Sequence, residues 1–287
     1  MKKFIVFITL ILTQINLPAE DKILHVYGCG ITRNAFSVEL TKAFSEKYNI
    51  ETTINKTGTV LVVLKALNSG KADVATGCRI PLKNTIPEEE KSWAIQVAWG
   101  ALAFVVNENN PIGNISTDQL KQILLGQIVN WKELGGENAP INLYLRRGKN
   151  TGVGFSTRVL VFNDNKKSLS QKAARIKNST QIRKLIKTDP NSFAIDDITS
   201  IRNTKGIKVV KIDGYGPTKQ NILEAKYNFG RPFYLYSKGR PTGIVRKYIK
   251  YALSHEGQTL IADIGNLNLN EGKKSKKLNF LLMMLNP

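Results

Sequence analysis

The chain of 287 residues is long enough for two domains of ordinary size. Its 42% of hydrophobic residues can bury a core, which excludes wholesale disorder, and 22 glycines and 10 prolines exclude collagen-like and low-complexity chains. Forty-two Lys and Arg against 22 Asp and Glu give a net charge of +20. This excess indicates an anionic partner without deciding between a small ion, a nucleic acid and a membrane surface.

Residues 1–19 have the layout of a secretory signal peptide. Lys2 and Lys3 precede an apolar run over residues 4–12, and Leu17-Pro18-Ala19 offers a small residue at the cleavage position. The run is short for a membrane span, and no cysteine follows it to carry a lipid anchor. We expect export to the periplasm and a mature chain with two lysines fewer and a net charge of +18. A buried N-terminal strand or a membrane anchor is the alternative.

From residue 22 onward, short apolar segments alternate with helical patterns, which predicts an α/β architecture. Predicted strands lie at residues 23–27, 51–55, 72–76, 102–106 and 141–145. Predicted helices bury Phe36, Leu40, Ala43 and Phe44, then residues 60–67, then Leu120, Ile123 and Leu124, and finally residues 245–253. Residues 102–106 and 229–236 are predicted to cross between two halves of the chain.

Three loops, each between a predicted strand and a predicted helix, have the composition of an anion site. They begin near Gly28, near Lys56 and near Arg146. Unpaired N–H groups and the positive end of the helix dipole meet at such a helix N-terminus. Hydroxyls and an arginine can add charge-assisted hydrogen bonds there. One such loop is weak evidence, but three in an exported basic protein predict anion binding without identifying the anion.

Several segments are similar, in sequence and in their order along the chain, to segments of one known family. They are LKQILLGQIVNWKEL at 120–134 with Gly135-Gly136 after it, RRGKNTGVGF at 146–155, YNFGRPFY at 227–234 and SHEGQ at 254–258. On these segments, over about residues 22–266, the chain resembles the phosphate-binding protein of the high-affinity phosphate ABC transporter. The resemblance implies a type 2 bilobed, periplasmic-binding-protein-like fold with two crossover segments as the hinge.

The resemblance also implies the domain boundaries. Residues 20–104 and 234–270 are expected to form lobe 1, and residues 105–233 lobe 2. Residues 271–287 are expected to form a basic C-terminal tail, either as a solvated end or as a segment that docks on an anionic membrane surface.

Carried over position by position, the resemblance implies a ligand site. The implied ligand residues are Thr32, Arg33, Gly58, Thr59, Cys78, Arg79, Arg147, Thr151, Gly152 and Val153. Cys78 stands where the family has Ser or Asp, and Val153 lacks the usual hydroxyl. An aspartate accepts the proton of monohydrogen phosphate and repels a fully ionised oxyanion, which a neutral thiol cannot do. The resemblance therefore implies phosphate or a similar tetrahedral oxyanion and leaves the selectivity open.

The predicted function is that of a periplasmic receptor that captures the oxyanion between two lobes and presents it to a membrane ABC permease. We expect a monomer without enzyme activity, cofactor, metal or nucleic-acid partner. No nucleophile with a positioned base, zinc-ligand spacing or aromatic-basic module is recognisable in the sequence. The alternative is a degenerate-site sensor or surface-associated factor of the same fold.

Two cysteines, Cys29 and Cys78, occur in a chain expected to enter an oxidising compartment. The resemblance places both on neighbouring strand-end loops of lobe 1, beside the ligand. A disulfide between them requires Cα atoms within about 7 Å. A disulfide and two free, partly buried thiols are both open from the sequence.

Overall fold

A computed structural model describes residues 23–55, 58–275 and 278. The predicted signal peptide lies outside these residues, as does most of the chain after Ser275. The strands are β1 (Leu24–Gly28), β2 (Thr52–Ile54), β3 (Val74–Gly77), β4 (Ser92–Asn107), β5 (Asn114–Ile115), β6 (Asn142–Arg146), β7 (Ala174–Ile176), β8 (Ser192–Asp197), β9 (Ile207–Ile212), β10 (Gly230–Lys238) and β11 (Leu267–Asn268).

Helices separate most of these strands. They are α1 (Gly30–Thr32), α2 (Val38–Tyr48), α3 (Val60–Asn68), α4 (Pro87–Glu90), α5 (Thr117–Leu125), α6 (Gly152–Phe162), α7 (Ser179–Thr188), α8 (Ile198–Ile201), α9 (Lys219–Leu223), α10 (Gly243–Leu253), α11 (His255–Asp263) and α12 (Leu269–Lys273). A π-helical segment, Arg33–Ser37, joins α1 to α2 without a break, and a 3-10 turn covers Trp131–Leu134. The α/β architecture predicted from the sequence is confirmed.

The two halves of the molecule share one long strand. In the first half the strand order is β2-β1-β3-β10-β4, and in the second it is β4-β8-β6-β7. The sixteen residues of β4 pair antiparallel with β10 up to Ala101 and with β8 from Leu102 onward. β10 begins at Gly230, opposite Ala101. The two segments predicted to cross between the halves are therefore β4 and β10, side by side.

Aromatic side chains pack around this crossing. Phe104 and Phe229 meet edge to face with ring centroids 5.0 Å apart, and Tyr227 packs on Phe229 in the same manner. The Tyr227 hydroxyl donates to the carbonyl oxygen of Leu102 at 2.8 Å. Buried aromatic rings and a satisfied hydroxyl stabilise a fixed geometry here. Tyr227 therefore packs where the two strands cross between the halves.

Short sequence signals explain where α5, in the second half, begins and ends. α5 starts with a capping box, in which Ser116 accepts from Gln119 and the Gln119 side chain accepts from the Ser116 N–H. It ends at Gly126, whose φ of 76° is readily adopted only by a residue without a side chain. Trp131 is buried and donates its indole N–H to the Asn191 carbonyl, so it is a core residue.

The C-terminal segment differs from the solvated tail that was the first of the two expectations. α12 places Gly272 so close to Trp99 that a Cβ there would lie 2.3 Å from the indole nitrogen. Leu278 is 4% exposed and reaches Gly230 at the start of β10. Of the described residues of this segment, Lys273 and Lys274 are exposed, whereas Gly272 and Leu278 are buried. In the described part of the chain, no helix has the length and apolar character needed to traverse a bilayer.

Candidate anion-binding site

The candidate site lies where the carboxyl ends of parallel strands from both halves meet. β1 and β3 are parallel neighbours in the first half, with Gly28 opposite Thr76, and β6 and β8 are parallel neighbours in the second. In open α/β sheets, ligands bind at the carboxyl ends of the strands. The loops after β1, β3 and β6 carry most of the residues that the sequence analysis selected.

The loop after β1 directs its helix N-terminus at a sulfur atom. Cys29 is the N-cap residue of α1, and the N–H groups of Ile31 and Thr32 stabilise its thiolate form. The Thr32 hydroxyl lies 3.2 Å from Cys29 Sγ and also contacts the Thr76 hydroxyl. Thr32 is fully buried. These groups therefore lie beneath the cleft, where Thr32 positions the Cys29 sulfur.

The loop before α3 places a helix N-terminus next to the first loop. The Gly30 N–H donates to the Gly58 carbonyl at 3.0 Å, which holds the two loops together. The Thr59 hydroxyl accepts from the Val62 N–H and caps α3, at a position that is half-buried. As the first residues of the helix, Val60 and Leu61 have N–H groups without an intrahelical acceptor. Thr59 and the amides after it are thus the part of this loop able to bind an anion.

Cys78 and Arg79 follow β3, and Arg79 differs from the expectation. Its guanidinium forms a fully buried ion pair with Glu89, at 2.5 Å, and donates to the carbonyl oxygens of Ile80 and Asn150. A charge neutralised in this way adds little to the potential at the cleft. Asn150 belongs to the loop of the second half, so Arg79 instead connects the two halves.

Arg33 and Arg147 are the predicted cations with free donor groups. Arg33 is half-buried, and its Nε has no hydrogen-bond partner among the described residues. Arg147 is exposed directly after β6. Among the described residues, its backbone N–H donates to the Ile176 carbonyl and its side chain has no partner. A guanidinium with unpaired donors is suited to an oxyanion. These two side chains keep the capacity for ligand binding that Arg79 has lost.

The loop after β6 brings α6 against the first half. Thr151 caps this helix through the Gly154 N–H and donates its own hydroxyl proton to the Gly148 carbonyl. A Cβ on Gly152 would lie 2.1 Å from Cys78 Sγ, so only a glycine fits there. Val153 buries its side chain in the core. The unpaired amides of Gly152 and Val153 therefore reach the cleft beside Cys78.

A buried ion pair that sequence reasoning missed supports this contact. Arg231 in β10 donates from Nε and a terminal nitrogen to the Asp197 carboxylate, at 2.8 and 2.5 Å. Its other terminal nitrogen donates to the Cys78 carbonyl at 3.0 Å. Asp197 is the last residue of β8 in the second half, Arg231 lies in the crossing strand β10, and Cys78 lies at the cleft. The ion pair therefore connects these three parts of the molecule. Asp197 and Cys78 lie 34 and 153 positions from Arg231 in the sequence, so no short-range pattern indicates these contacts.

Cys29 and Cys78 are free thiols in the structure, the second of the two alternatives left open above. Their sulfurs lie 3.5 Å apart, and each residue is 3% exposed. Hydrogen bonding from Cys78, and then from Thr32 and backbone N–H groups, lowers the pKa of Cys29 to about 6 against the cost of burial. The same Cys29 hydrogen bond, together with burial, raises the pKa of Cys78 well above its ordinary value. Cys78 is therefore a neutral thiol where the family has Ser or Asp.

A separate groove of about 940 Å³ lies beside the cleft. It is lined by residues 80–85, Trp93 and the α6 side chains Phe155 and Val159. It contains one cationic residue, Lys83, opposed by Asp164, and no helix N-terminus. It is therefore less suited to a small anion than the cleft at Cys78. No group of His, Cys, Asp or Glu among residues 23–55 and 58–275 has the arrangement of a metal site.

The fold and the cleft define a two-lobed ligand-binding protein, in which two adjacent strands join α/β halves around a cleft of strand-end loops. Residues 32–256 match the family model described as the PBP superfamily domain. The match spans most of the sequence, and the chain belongs to this superfamily.

Individual relatives and structures agree with this assignment. The phosphate-binding protein PstS of Borreliella burgdorferi is 24% identical over 281 residues, which are 94% of this chain and 99% of that protein. PstS of Bacillus subtilis is 27% identical over 186 residues, but these cover only 60% of its length and 64% of this chain. A putative phosphate ABC transporter substrate-binding protein from Clostridium perfringens, solved with bound phosphate, superposes with a TM-score of 0.76 at 24% identity. It covers 86% of this chain and 100% of that one.

Proposed function

We propose that the protein is the phosphate receptor of an ABC uptake system, and that it binds phosphate between its lobes in the periplasm after removal of its signal peptide. Relatives named as phosphate-binding proteins support this proposal, one of them along almost its whole length. A fold neighbour that was crystallised with phosphate also supports it. The expectation of a binding protein without enzyme activity is part of the proposal.

The contact of Gly152 with Cys78 carries the proposal. It brings the N-terminus of α6 from the second half against the strand-end loops of the first. We infer that the ligand is held by the amides after Thr59 and Thr151, together with the guanidinium groups of Arg33 and Arg147. Several charge-assisted hydrogen bonds, worth about 1.5–3 kcal/mol each, are ample for micromolar affinity, which needs about 8 kcal/mol. Because only the shut cleft makes both sets of contacts, the ligand favours closure.

One observation favours a second candidate, a sensor or surface-associated factor with a degenerate site. Thr32 and Arg79, both predicted ligand residues, are committed to partners inside the protein. A site that has lost these donors, in a chain of net charge +20, is compatible with a function that depends on overall charge.

Isothermal titration of the purified mature chain with phosphate and with sulfate tests the proposal. The phosphate-receptor function requires saturable heat with phosphate, at one site per chain. Sulfate, as the fully ionised control, reports how far the Cys78 thiol has altered the selectivity. An absence of heat with both anions, combined with binding to anionic phosphatidylserine vesicles, contradicts the receptor function and supports the second candidate.

A further inference from the structure

Cys29 and Cys78 form a buried pair of thiols beside the candidate anion site. They follow two adjacent parallel strands, β1 and β3, and their sulfurs are 3.5 Å apart. We propose that this pair is a redox-modification site, and that its oxidation to a disulfide tightens anion binding in the cleft. The second half of this inference rests on the proposed function, whereas the first half does not.

The two cysteines leave neighbouring strands at the same edge of the sheet. Gly28 pairs with Thr76, so Cys29 directly follows β1 and Cys78, one position further along, directly follows β3. Neighbouring strands lie about 4.8 Å apart, and disulfides join Cα atoms that are about 4.4–6.8 Å apart. The sulfurs must approach from 3.5 Å to a bond length of about 2.05 Å. Side-chain rotation supplies such a movement without a change in strand register.

The two sulfurs have different surroundings and therefore different roles in the oxidation. Cys29 is the N-cap residue of α1, its sulfur lies 3.2 Å from the Thr32 hydroxyl, and the N–H groups of Ile31 and Thr32 favour its thiolate form. Such an environment favours the nucleophilic thiolate. Cys78 lies within hydrogen-bond distance of the same sulfur and supplies the second thiol. Cys29 is therefore the attacking residue and Cys78 the resolving one.

The oxidant we name is a small-molecule disulfide such as oxidised glutathione. The Cys29 thiolate attacks one sulfur of the reagent, which forms a mixed disulfide and releases one reagent thiolate. Cys78 then gives up its proton, and its thiolate attacks Cys29 Sγ, which releases the second reagent thiolate. The protein loses two electrons and the Cys78 proton, and the reagent gains the two electrons as two thiolates, one of which takes up that proton.

The cleft controls access to this site. Both cysteines are 3% exposed, and Gly152 of the second half covers the Cys78 sulfur. A reagent reaches the pair only when α6 moves away from Cys78. Bound phosphate, which favours the shut cleft in the proposed function, should therefore slow the oxidation.

The position of the bridge links the oxidation to affinity. A disulfide would join the loop after β1, which is held to Gly58 through the Gly30 N–H, to the loop after β3, which lies against Gly152. The strand-end loops of the first half would then be fixed before the anion binds, which lowers the entropy lost on binding. We expect the oxidised protein to bind phosphate about tenfold more tightly at pH 7.5.

The test oxidises the full mature chain with glutathione disulfide and reduces a second sample with dithiothreitol. Alkylation under denaturing conditions followed by mass spectrometry counts the free thiols, and titration gives the phosphate affinity of each sample. We expect no free thiol and tighter binding after oxidation. Cys29→Ser and Cys78→Ser are matched controls that cannot form the bridge, and their circular dichroism spectra report whether they fold.

Each outcome separates the two proposals. Two thiols that stay free after oxidation, in a protein that binds phosphate, overturn the redox site and leave the receptor function intact. A disulfide with unchanged or weaker phosphate binding overturns the coupling. Failure of both samples to bind phosphate overturns the receptor function and the coupling, while the thiol count still decides the redox site.

Discussion

Gly152 lies so close to Cys78 that any side chain at residue 152 would overlap the Cys78 sulfur. An added Cβ on Gly152 would stand 2.1 Å from Cys78 Sγ, and the next nearest atom, the Cys78 carbonyl oxygen, would be 3.4 Å away. The first residue of α6 therefore packs against Cys78 of the opposite half, with no room for a side chain.

Gly152→Ala should hold the cleft open and weaken phosphate binding by about tenfold or more, because a Cβ contact of 2.1 Å cannot exist. The double variant Gly152→Ala with Cys78→Ala removes the obstructing sulfur and should restore most of the affinity. Titration measures both, and small-angle scattering reports the opening. Gly113→Ala, where an added Cβ meets nothing within 4 Å, is the control. Equal affinities in the single and double variants would argue against this explanation.

Arg147→Ala should reduce phosphate affinity about a hundredfold, because it removes two charge-assisted hydrogen bonds of about 1.5 kcal/mol each. Stability should barely change, since Arg147 is exposed and engages the protein only through its backbone. Arg246→Ala, an exposed arginine on α10, should leave the titration unchanged. If the Arg147 variant binds phosphate like the wild type, the ligand lies elsewhere.

Arg231→Met should lower the free energy of unfolding by about 3–5 kcal/mol, because it leaves Asp197 as an unpaired charge in the interior. Asp197 is fully buried, and only the N–H and hydroxyl of Thr199 remain to solvate it. Adding Asp197→Asn removes that charge, so the double variant should recover part of the loss. Urea unfolding followed by circular dichroism measures both. A double variant less stable than the single one would contradict the reasoning.

Asp196→Asn should change how stability depends on pH. Burial raises the pKa of Asp196, whose Oδ2 has no hydrogen-bond partner in the described structure. The folded state therefore favours the protonated acid. The stability from this group is complete below the ordinary pKa of an aspartic acid and is lost as pH rises through the raised value.

The asparagine variant does not titrate, so its stability relative to the wild type should rise as the pH increases above the ordinary pKa of an aspartic acid, about 4. It keeps the oxygen that accepts from Ser179 and from the Asp197 N–H. Thermal unfolding at several pH values provides the comparison, with the exposed Asp263→Asn as control. A difference from the wild type that is constant across this pH range would exclude the mechanism.

Local patterns predicted the architecture well. The apolar run at residues 102–106 was recognised as a crossing strand, but β4 starts ten residues earlier at Ser92. Its first half pairs with β10, which is more than a hundred residues away, and no short-range pattern records this pairing. Tertiary contacts likewise decided the C-terminal segment, where the lysine-rich composition obscured the packing of Leu278.

The helix N-termini of the candidate site were predicted from the sequence, but the partners of its charged side chains were not, and anion binding there stays a prediction. Loop composition and family resemblance placed Thr59, Thr151 and Gly152 at helix N-termini beside the cleft, where the structure has them. Neither loop composition nor the resemblance could indicate that Glu89 neutralises Arg79, because the partner of a buried charge depends on the tertiary structure. The same holds for Arg231, whose three acceptor contacts come from residues distant in the chain.

The last described residues rest on the strands that join the lobes, with Gly272 against Trp99 and Leu278 against Gly230. A label attached at the exposed Lys274 lies near these strands and travels little when the lobes rotate. A fluorophore placed there is a nearly stationary reference. Its distance to a second dye at the far end of either lobe would then report the opening angle of single molecules.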